Sequence, residues 1–211
     1  MTGPGIVRGC IAAAILGAAT PAAAEAPAVE ISPYIAYRMG GSVEADDPQG
    51  SFELDDSEGF GLLVNFLRRG NTQFELLYAQ QDTQAVFDGV TGNDGIVDIE
   101  LRSLELGGVY EFEGQVARPY MAATIGGTHV KTRSFGSASD TFLSGSLGLG
   151  VRFFPEQRLG LRIEARARGI LVSSGSKIFC ETGSDGAICA VQLAGDMLGQ
   201  VETFAGVSFR F

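Results

Sequence analysis

The sequence predicts an all-β fold, an eight-stranded antiparallel up-and-down transmembrane β-barrel. In eight segments of about ten residues, apolar residues on one parity alternate with small or polar residues on the other. Short turns and long acidic loops join these segments in alternation. After residue 25, no uninterrupted apolar run reaches the roughly 18 residues that a membrane helix needs. Strands cross a bilayer only as a closed ring, because lipid satisfies no free N–H or C=O group.

The alternation defines the strands, and the seventh segment, LGLRIEARARG, shows it most clearly. Its charged residues share one parity and would not fit the hydrophobic core of a β-sandwich. The fourth segment changes phase, because Ile99 and Leu101 fit one parity and Leu104 fits the other. We therefore expect a β-bulge near Ser103. The eight segments lie near 30 to 39, 57 to 67, 72 to 82, 99 to 112, 117 to 131, 141 to 154, 158 to 171 and 198 to 211.

The connections fall into two classes by length. The short ones lie near 68 to 71, 113 to 116 and 155 to 157. The long, acidic ones lie near 40 to 56, 83 to 98, 132 to 140 and 172 to 197. Outer-membrane barrels have this arrangement, with turns in the periplasm and loops outside the cell. We therefore expect a protein of the bacterial outer membrane, with periplasmic termini and extracellular long loops.

A soluble eight-stranded barrel or sandwich is the alternative, and in it the apolar parity would face inward. Two features argue against this alternative. The polar parity is rich in Gly and Ser, which suits a narrow, crowded lumen. Aromatic residues also gather at the turn ends of the segments, where a membrane interface would lie. These aromatic residues are Phe66, Phe74, Tyr110, Phe112, Phe153, Phe154, Phe209 and Phe211.

Residues 1–24 are predicted to be a cleaved signal peptide, which leaves residues 25–211 as the barrel domain. Arg8 provides the positive start, residues 10 to 19 form a short apolar run, and Ala22, Ala23 and Ala24 precede Glu25. The apolar run is shorter than the ~20 residues that a spanning helix needs.

Composition excludes several classes of protein. The chain has 211 residues, a formal net charge of −10 and a single His. Because an acidic surface repels phosphate, no nucleic-acid partner is expected. The sequence has no Cys/His cluster, so zinc chemistry is not expected either. We predict no cofactor, no metal and no catalytic residue.

The polar parity places charged side chains inside the barrel. An eight-stranded barrel has an interior just wide enough for side chains to fill, so no wide pore is expected. Buried charges are tolerated when they are paired, which favours a structural salt-bridge plug. A polar gate or narrow ion path, as in a low-conductance porin-like channel, is the alternative. The predicted lumen charge network comprises Arg38, Glu75, Glu105, Arg152, Arg162, Glu164, Arg166, Arg168, Glu202 and Arg210. Glu100 and Arg102 are uncertain because of the expected bulge.

With the strands placed, the chain resembles the small eight-stranded outer-membrane β-barrel family, which includes outer-membrane protein A-like transmembrane domains and opacity-type porin-like proteins. The stretches that carry the resemblance are SPYIAYRMGGS, RPYMAATIGG, LGLRIEARARG and AGVSFRF. The resemblance implies that the chain's end is the signal read by the outer-membrane assembly machinery, with Phe209 and Phe211 as its aromatic residues. It does not extend to a peptidoglycan-binding domain.

The last long loop contains Cys180 and Cys189. Exported thiols enter an oxidising compartment, so we predict that these two form a disulfide.

The long loops are also acidic. Hard carboxylates suit Ca²⁺ or Mg²⁺ beside lipopolysaccharide phosphates, but a solvated acidic face is the simpler interpretation. The acidic residues are Glu44, Asp46, Asp47, Glu53, Asp55, Asp56, Glu58, Asp82, Asp88, Asp94, Asp98, Glu181 and Asp185.

An enzyme is the third functional class to consider, because some small barrels modify lipid A. Acyl transfer needs a nucleophile with a base in hydrogen-bond reach. His129 is expected to face lipid or the rim. Lipid-A deacylases have a Ser two positions after their His, whereas this chain has Lys131 there. We predict a monomeric structural or surface-interaction protein that is not an enzyme. Its expected partners are outer-membrane lipid, lipopolysaccharide and the assembly machinery.

Overall fold

The computed structural model describes residues 29–44, 51–67, 70–88, 95–133, 139–172, 180–183, 186–189 and 197–211. Within these ranges, only the backbone is described for 42–44, 51–53, 85–88, 95–96, 180–183 and 186–189. The predicted signal peptide lies outside the described residues. Among those residues, no helix has the length and apolar character needed to cross a membrane.

Eight long strands lie close to the eight predicted segments, and four short strands lie in the long connections. The long strands are β1 (Val29–Met39), β4 (Ser57–Leu67), β5 (Thr72–Asp88), β6 (Gly95–Glu111), β7 (Ala117–Thr132), β8 (Ser139–Phe153), β9 (Leu159–Leu171) and β12 (Met197–Arg210). The short strands are β2 (Ser42–Glu44), β3 (Ser51–Leu54), β10 (Cys180–Gly183) and β11 (Gly186–Cys189).

The long strands form a closed antiparallel ring, which confirms the predicted fold class. Each long strand pairs with the next one along the chain, and β12 pairs with β1 to close the ring. Following the register once round the ring leads from Val29 to Met39, a stagger of ten residues. A stagger of this kind tilts the strands by about 40° to the barrel axis and leaves an interior that side chains fill.

Side chains alternate between the lumen and an outward apolar belt. Leu161 and Ile163 are exposed on the outside, whereas Arg166 and Glu202 are buried in the lumen. The predicted direction of the apolar parity is therefore confirmed. The apolar belt includes Ile35, Leu62, Leu104, Leu106, Ile125, Leu147, Leu149, Leu161, Ile163 and Val207.

The two ends of the barrel differ in structure. At the turn end, β1 begins, β12 ends, and the short connections join neighbouring strands. At the loop end, β5 and β6 continue as a paired extension through residues 83–88 and 95–98. The predicted loop near 83 to 98 is therefore wrong in part, because β5 and β6 stay paired as far as Phe87 and Gly95. The short strands β2 and β3 form a hairpin that pairs with this extension through β3.

The predicted β-bulge near Ser103 is wrong. The pairing of β6 with both neighbours runs through Ser103 without an extra residue. Ile99 and Leu101 face the lumen, on the same parity as Glu105. The change of phase in the sequence reflects a change in the lumen, which becomes apolar towards the loop end.

Glycine provides space for a buried aromatic ring in the lumen. Gly150 lies directly opposite Tyr120 in the β7–β8 register. A Cβ atom at Gly150 would overlap the Tyr120 hydroxyl and lie 2.7 Å from the carbonyl oxygen of Ile163. Because both neighbours are buried in the wall or the lumen, neither has free space to move into.

Gly150→Ala should destabilise the barrel, because overpacking a tight interior typically costs about 1–3 kcal/mol. The midpoint of urea-induced unfolding in lipid vesicles, read from the folded band on unheated gels, measures the effect. Gly199→Ala is the matched control, because a Cβ atom there would have no neighbour within 4 Å. Equal midpoints for the two variants would contradict the close packing at Gly150.

Candidate functional site: the charged lumen

Two carboxylates and two guanidinium groups form a closed square at the centre of the lumen. Arg162 lies 2.7 Å from Glu75 and 2.8 Å from Glu164, measured between nitrogen and oxygen atoms. Arg166 lies 2.8 Å from Glu75 and 2.5 Å from Glu164. All four side chains are 0% exposed. Each charge in this central square is therefore neutralised by two opposite charges.

Neutral polar groups fix the orientation of the central square. The Tyr120 hydroxyl donates to Glu164 Oε2 at 2.6 Å and accepts from Arg162 Nε at 2.6 Å. The Asn65 side chain accepts from Arg162 at 3.0 Å and donates to Glu75 at 3.1 Å. The Arg162 guanidinium also lies over the Tyr120 ring, 4.6 Å from its centroid. These contacts hold the guanidinium plane in one position.

A second layer of ion pairs lies on the loop side of the central square. Arg38 Nε donates to Glu202 at 2.5 Å, and Arg168 lies 3.3 Å from both Glu202 and Glu105. Glu105 also accepts hydrogen bonds from Thr124 at 2.6 Å and from hydroxyl groups of β8. The buried charges here are again paired and hydrogen-bonded, which is the condition for tolerating them.

A third layer closes the turn side of the lumen. Arg152 Nε lies 3.1 Å from Glu30, and Arg152 Nη1 also contacts Glu111. Arg210 lies 3.1 Å from Glu30 and is 21% exposed at the mouth of the lumen. Arg118 lies 3.7 Å from Glu111 at the same mouth.

An apolar layer fills the lumen at the loop end. It lies beyond the ion pairs of Arg38 and Arg168, where the odd residues of β6 and the even residues of β7, β8, β9 and β12 turn inward. This apolar layer comprises Leu54, Val97, Ile99, Leu101, Val130, Phe142, Ile170 and Leu198. A packed apolar layer offers water no hydrogen-bond partner, so it disfavours water at this end of the lumen.

The structure brings the predicted lumen residues together in the three ionic layers. Of the ten residues, all except Arg210 are buried. Sequence reasoning missed Glu30 and Glu111, although they share the parities of Arg38 and Glu105 in their strands. It also missed Tyr120 and the apolar layer, because an uncharged residue on the lumen parity has no charge that would mark it as part of the network. The ionic groups lie on the turn side of the apolar layer, and apolar residues fill the lumen on the loop side.

The other candidate residues lie apart from the lumen. His129 is exposed on the outside, with Nδ1 3.1 Å from the hydroxyl of Thr141. Phe209 and Phe211 are exposed at the turn end. Cys180 and Cys189 lie opposite one another in the β10–β11 hairpin, where only the backbone is described.

The acidic loop residues do not converge on a metal site within the described part of the chain. No three of its His, Cys, Asp and Glu residues are arranged to hold a metal ion. Asp56 instead accepts hydrogen bonds from the Gly40 amide at 2.7 Å and the Tyr37 hydroxyl at 3.1 Å. Asp46, Asp47, Asp94 and Asp185 lie outside the described residues.

A small ion-pair cluster lies on the outer face at the loop end. Arg133 Nη2 is 2.9 Å from Glu100 and 3.1 Å from Asp82, and Arg102 also pairs with Glu100. Arg133 follows the end of β7, and its hydrogen bond to Glu100 and the nearby charge of Asp82 raise its pKa above the usual arginine value. Glu100 and Arg102, which the sequence left uncertain, thus belong to the outside of the barrel.

Glu75→Gln should reduce the free energy of unfolding by about 3–5 kcal/mol, because it leaves Arg162 and Arg166 with too little negative charge in a buried site. Urea-induced unfolding in lipid vesicles measures this change. Glu156→Gln is the matched control, since that carboxylate pairs with Arg118 but is 68% exposed. A Glu75→Gln midpoint equal to that of the control would rule out a stabilising role for the square.

Comparisons with known proteins agree with this architecture. The fold is similar to that of Neisserial surface protein A (NspA), with a TM-score of 0.60 and 14% identity, covering 87% of this chain and 99% of that chain. It is also similar to the outer membrane protein OprG from Pseudomonas aeruginosa, with a TM-score of 0.51 and 13% identity, covering 88% of this chain and 96% of that chain. Among curated proteins, none matches. The family model for the outer membrane protein beta-barrel domain matches residues 10–185, and the chain therefore belongs to this outer-membrane β-barrel family.

Proposed function

We propose that the protein is a monomeric integral outer-membrane barrel with a structural or surface-interaction role and a lumen that does not conduct. The observation that carries this proposal is the filling of the lumen. Three layers of paired charges and one apolar layer occupy its length. A pore needs a continuous path of water through the lumen. In this lumen, the buried charges are paired with one another instead of with water.

The orientation we propose places the turn end in the periplasm and the loop end outside the cell. Both ends of the described chain lie at the turn end, where the Phe211 amide donates to the Val29 carbonyl at 2.9 Å. Short turns at one end and long connections at the other fit the usual orientation of such barrels. We further propose that Phe209 and Phe211 form the signal for the assembly machinery, and that outer-membrane lipid and lipopolysaccharide surround the barrel.

The loop end provides the surface for interaction. A strand needs about 9–11 residues to cross the bilayer at the usual tilt. β5 and β6 have 17 residues each, so their paired ends extend past the apolar belt. The β2–β3 hairpin widens this extension. A sheet held above the membrane supports contact with other surface molecules.

A non-enzymatic role is supported by the position of the chain's single His. His129 faces outward at the rim with Nδ1 3.1 Å from the Thr141 hydroxyl, but in the described part of the chain no carboxylate is hydrogen-bonded to its ring to orient it as a base. The buried carboxylates of the central square are bonded to guanidinium groups, so they are not free bases.

Purified folded protein should produce no stepwise openings in planar bilayers, because the charge layers and the apolar layer close the lumen at several levels. Heat-modifiable migration on gels shows in parallel that the sample is folded. Steady openings from a folded sample would contradict the proposal and favour the low-conductance channel.

The Cys180–Cys189 disulfide is a further prediction for the loop end. The two residues are opposite partners in the β10–β11 register, and a loop of this length is stabilised by roughly 2–3 kcal/mol when it is closed. Mass spectrometry of the exported, unreduced protein should show both thiols blocked from alkylation, and reduction should release them. Two alkylated thiols without reduction would refute the bridge.

A further inference from the structure

Three cationic side chains stand together on the outside of the barrel at the loop end. Arg102 on β6, Lys131 on β7 and Arg133 immediately after β7 are all exposed, and we call them the rim cluster. Arg102 lies two residues beyond Leu104 of the apolar belt, and Lys131 and Arg133 lie further towards the loop end of β7, past His129, which is paired with Arg102. The rim cluster therefore lies at the level where the headgroups of a surrounding lipid leaflet begin.

The rim cluster is confined to one wall of the barrel. On the strands that follow β7 round the ring, the outward residues at the loop end carry no positive charge: they are Ser139, Thr141 and Leu143 on β8, Leu171 on β9 and Met197 on β12. In the described part of the chain, the other arginines are either buried in the lumen or near the turn end. The chain has a net charge of −10, so a patch with three cations is a local feature of its surface, and Glu100 and Asp82 lie within that patch.

Glu100 and Asp82 hold two of the cations in place without using all of their donors. Arg133 Nη2 donates to Glu100 and also lies near Asp82, whereas Arg102 pairs with Glu100 through Nη2. An arginine has five N–H donors, so each guanidinium keeps donors that these ion pairs do not use. The two side chains are 53% and 51% exposed, which leaves those donors accessible.

Lys131 has the fewest ionic contacts of the three cations in the rim cluster. In the β6–β7 register it lies opposite Glu100, and its neighbour two residues earlier, His129, lies opposite Arg102. Among the described residues, no carboxylate lies within ion-pair distance of its ammonium group. A phosphate at this place would therefore gain a charge-assisted bond without displacing an existing pair.

We propose that the rim cluster binds a phosphate group of a phosphorylated glycolipid in the outer leaflet, with Arg102, Lys131 and Arg133 as its donors. This inference rests on the proposed orientation, which places the loop end in that leaflet. A lipid fits better than a soluble polyanion, because the cations project sideways at the edge of the apolar belt. A glycolipid that is anchored by its acyl chains against Leu104 and Ile125 brings its phosphates to this level.

The test uses lipid A that carries both phosphates, titrated into the full folded protein in detergent micelles and counted by native mass spectrometry. EDTA is present, so that divalent cations cannot bridge lipid to the acidic residues. Arg102→Gln combined with Lys131→Gln should weaken binding about tenfold, and lipid A with its phosphates removed should bind wild type as weakly. Arg158→Gln, an exposed arginine at the turn end, is the matched control and should bind as wild type does.

Several outcomes would overturn the assignment. They are equal binding by wild type and the double variant, equal binding of lipid with and without phosphates, or full competition by a soluble sulfated polysaccharide. Binding that appears only with Mg²⁺ would assign the site to the acidic residues instead. If the double variant does not fold, Lys131→Gln alone provides the comparison, because Lys131 takes part in no ion pair among the described residues. If the folded protein does not bind lipid A as expected, the proposed function of the barrel is unaffected. If the wild-type chain shows no heat-modifiable migration, the proposed function itself is contradicted.

Discussion

The mutual neutralisation of buried charges is the constraint on which the rest of the structure depends. A ring of eight strands with a stagger of ten residues has no free edge, but its lumen is only as wide as the side chains that fill it. Five arginines point into that space and are buried there. Removing so many charges from water is possible only because a carboxylate meets each of them. The central square is the most complete case, since every charge in it has two partners.

The same constraint supports the proposal that the lumen neither conducts nor catalyses. Each buried arginine and each carboxylate of the three ionic layers is already paired with an opposite charge, on its own strand or on another. The apolar layer then separates these groups from the loop end. What remains available is the outside of the molecule: an apolar belt for hydrocarbon, a rim where charges meet headgroups, and a sheet that extends past the belt. The chemistry of this barrel is therefore expected at its surface.

The sequence predicts the ring well and the interior only in part. Alternation with a period of two identifies each strand and the side that faces lipid. Successive side chains of a strand in a barrel wall face either the lipid or the lumen. The alternation does not show which lumen residues meet, since Arg162 and Glu75 are on strands far apart in the chain. Nor does the sequence show where along a strand the lumen changes from charged to apolar. Ile99 and Leu101 suggested a bulge for that reason, although they only mark the start of the apolar layer.

The exchange of arginine side-chain protons with water tests the central claim most directly. NMR of the protein in lipid nanodiscs can follow the Nε–H signals of Arg162 and Arg166, with the exposed Arg158 as an internal reference. Buried, doubly paired guanidinium groups should give resolved signals that persist in deuterated water long after that of Arg158 has vanished. Loss of all three signals at the same rate would show that water reaches the central square, and the closed lumen would be wrong.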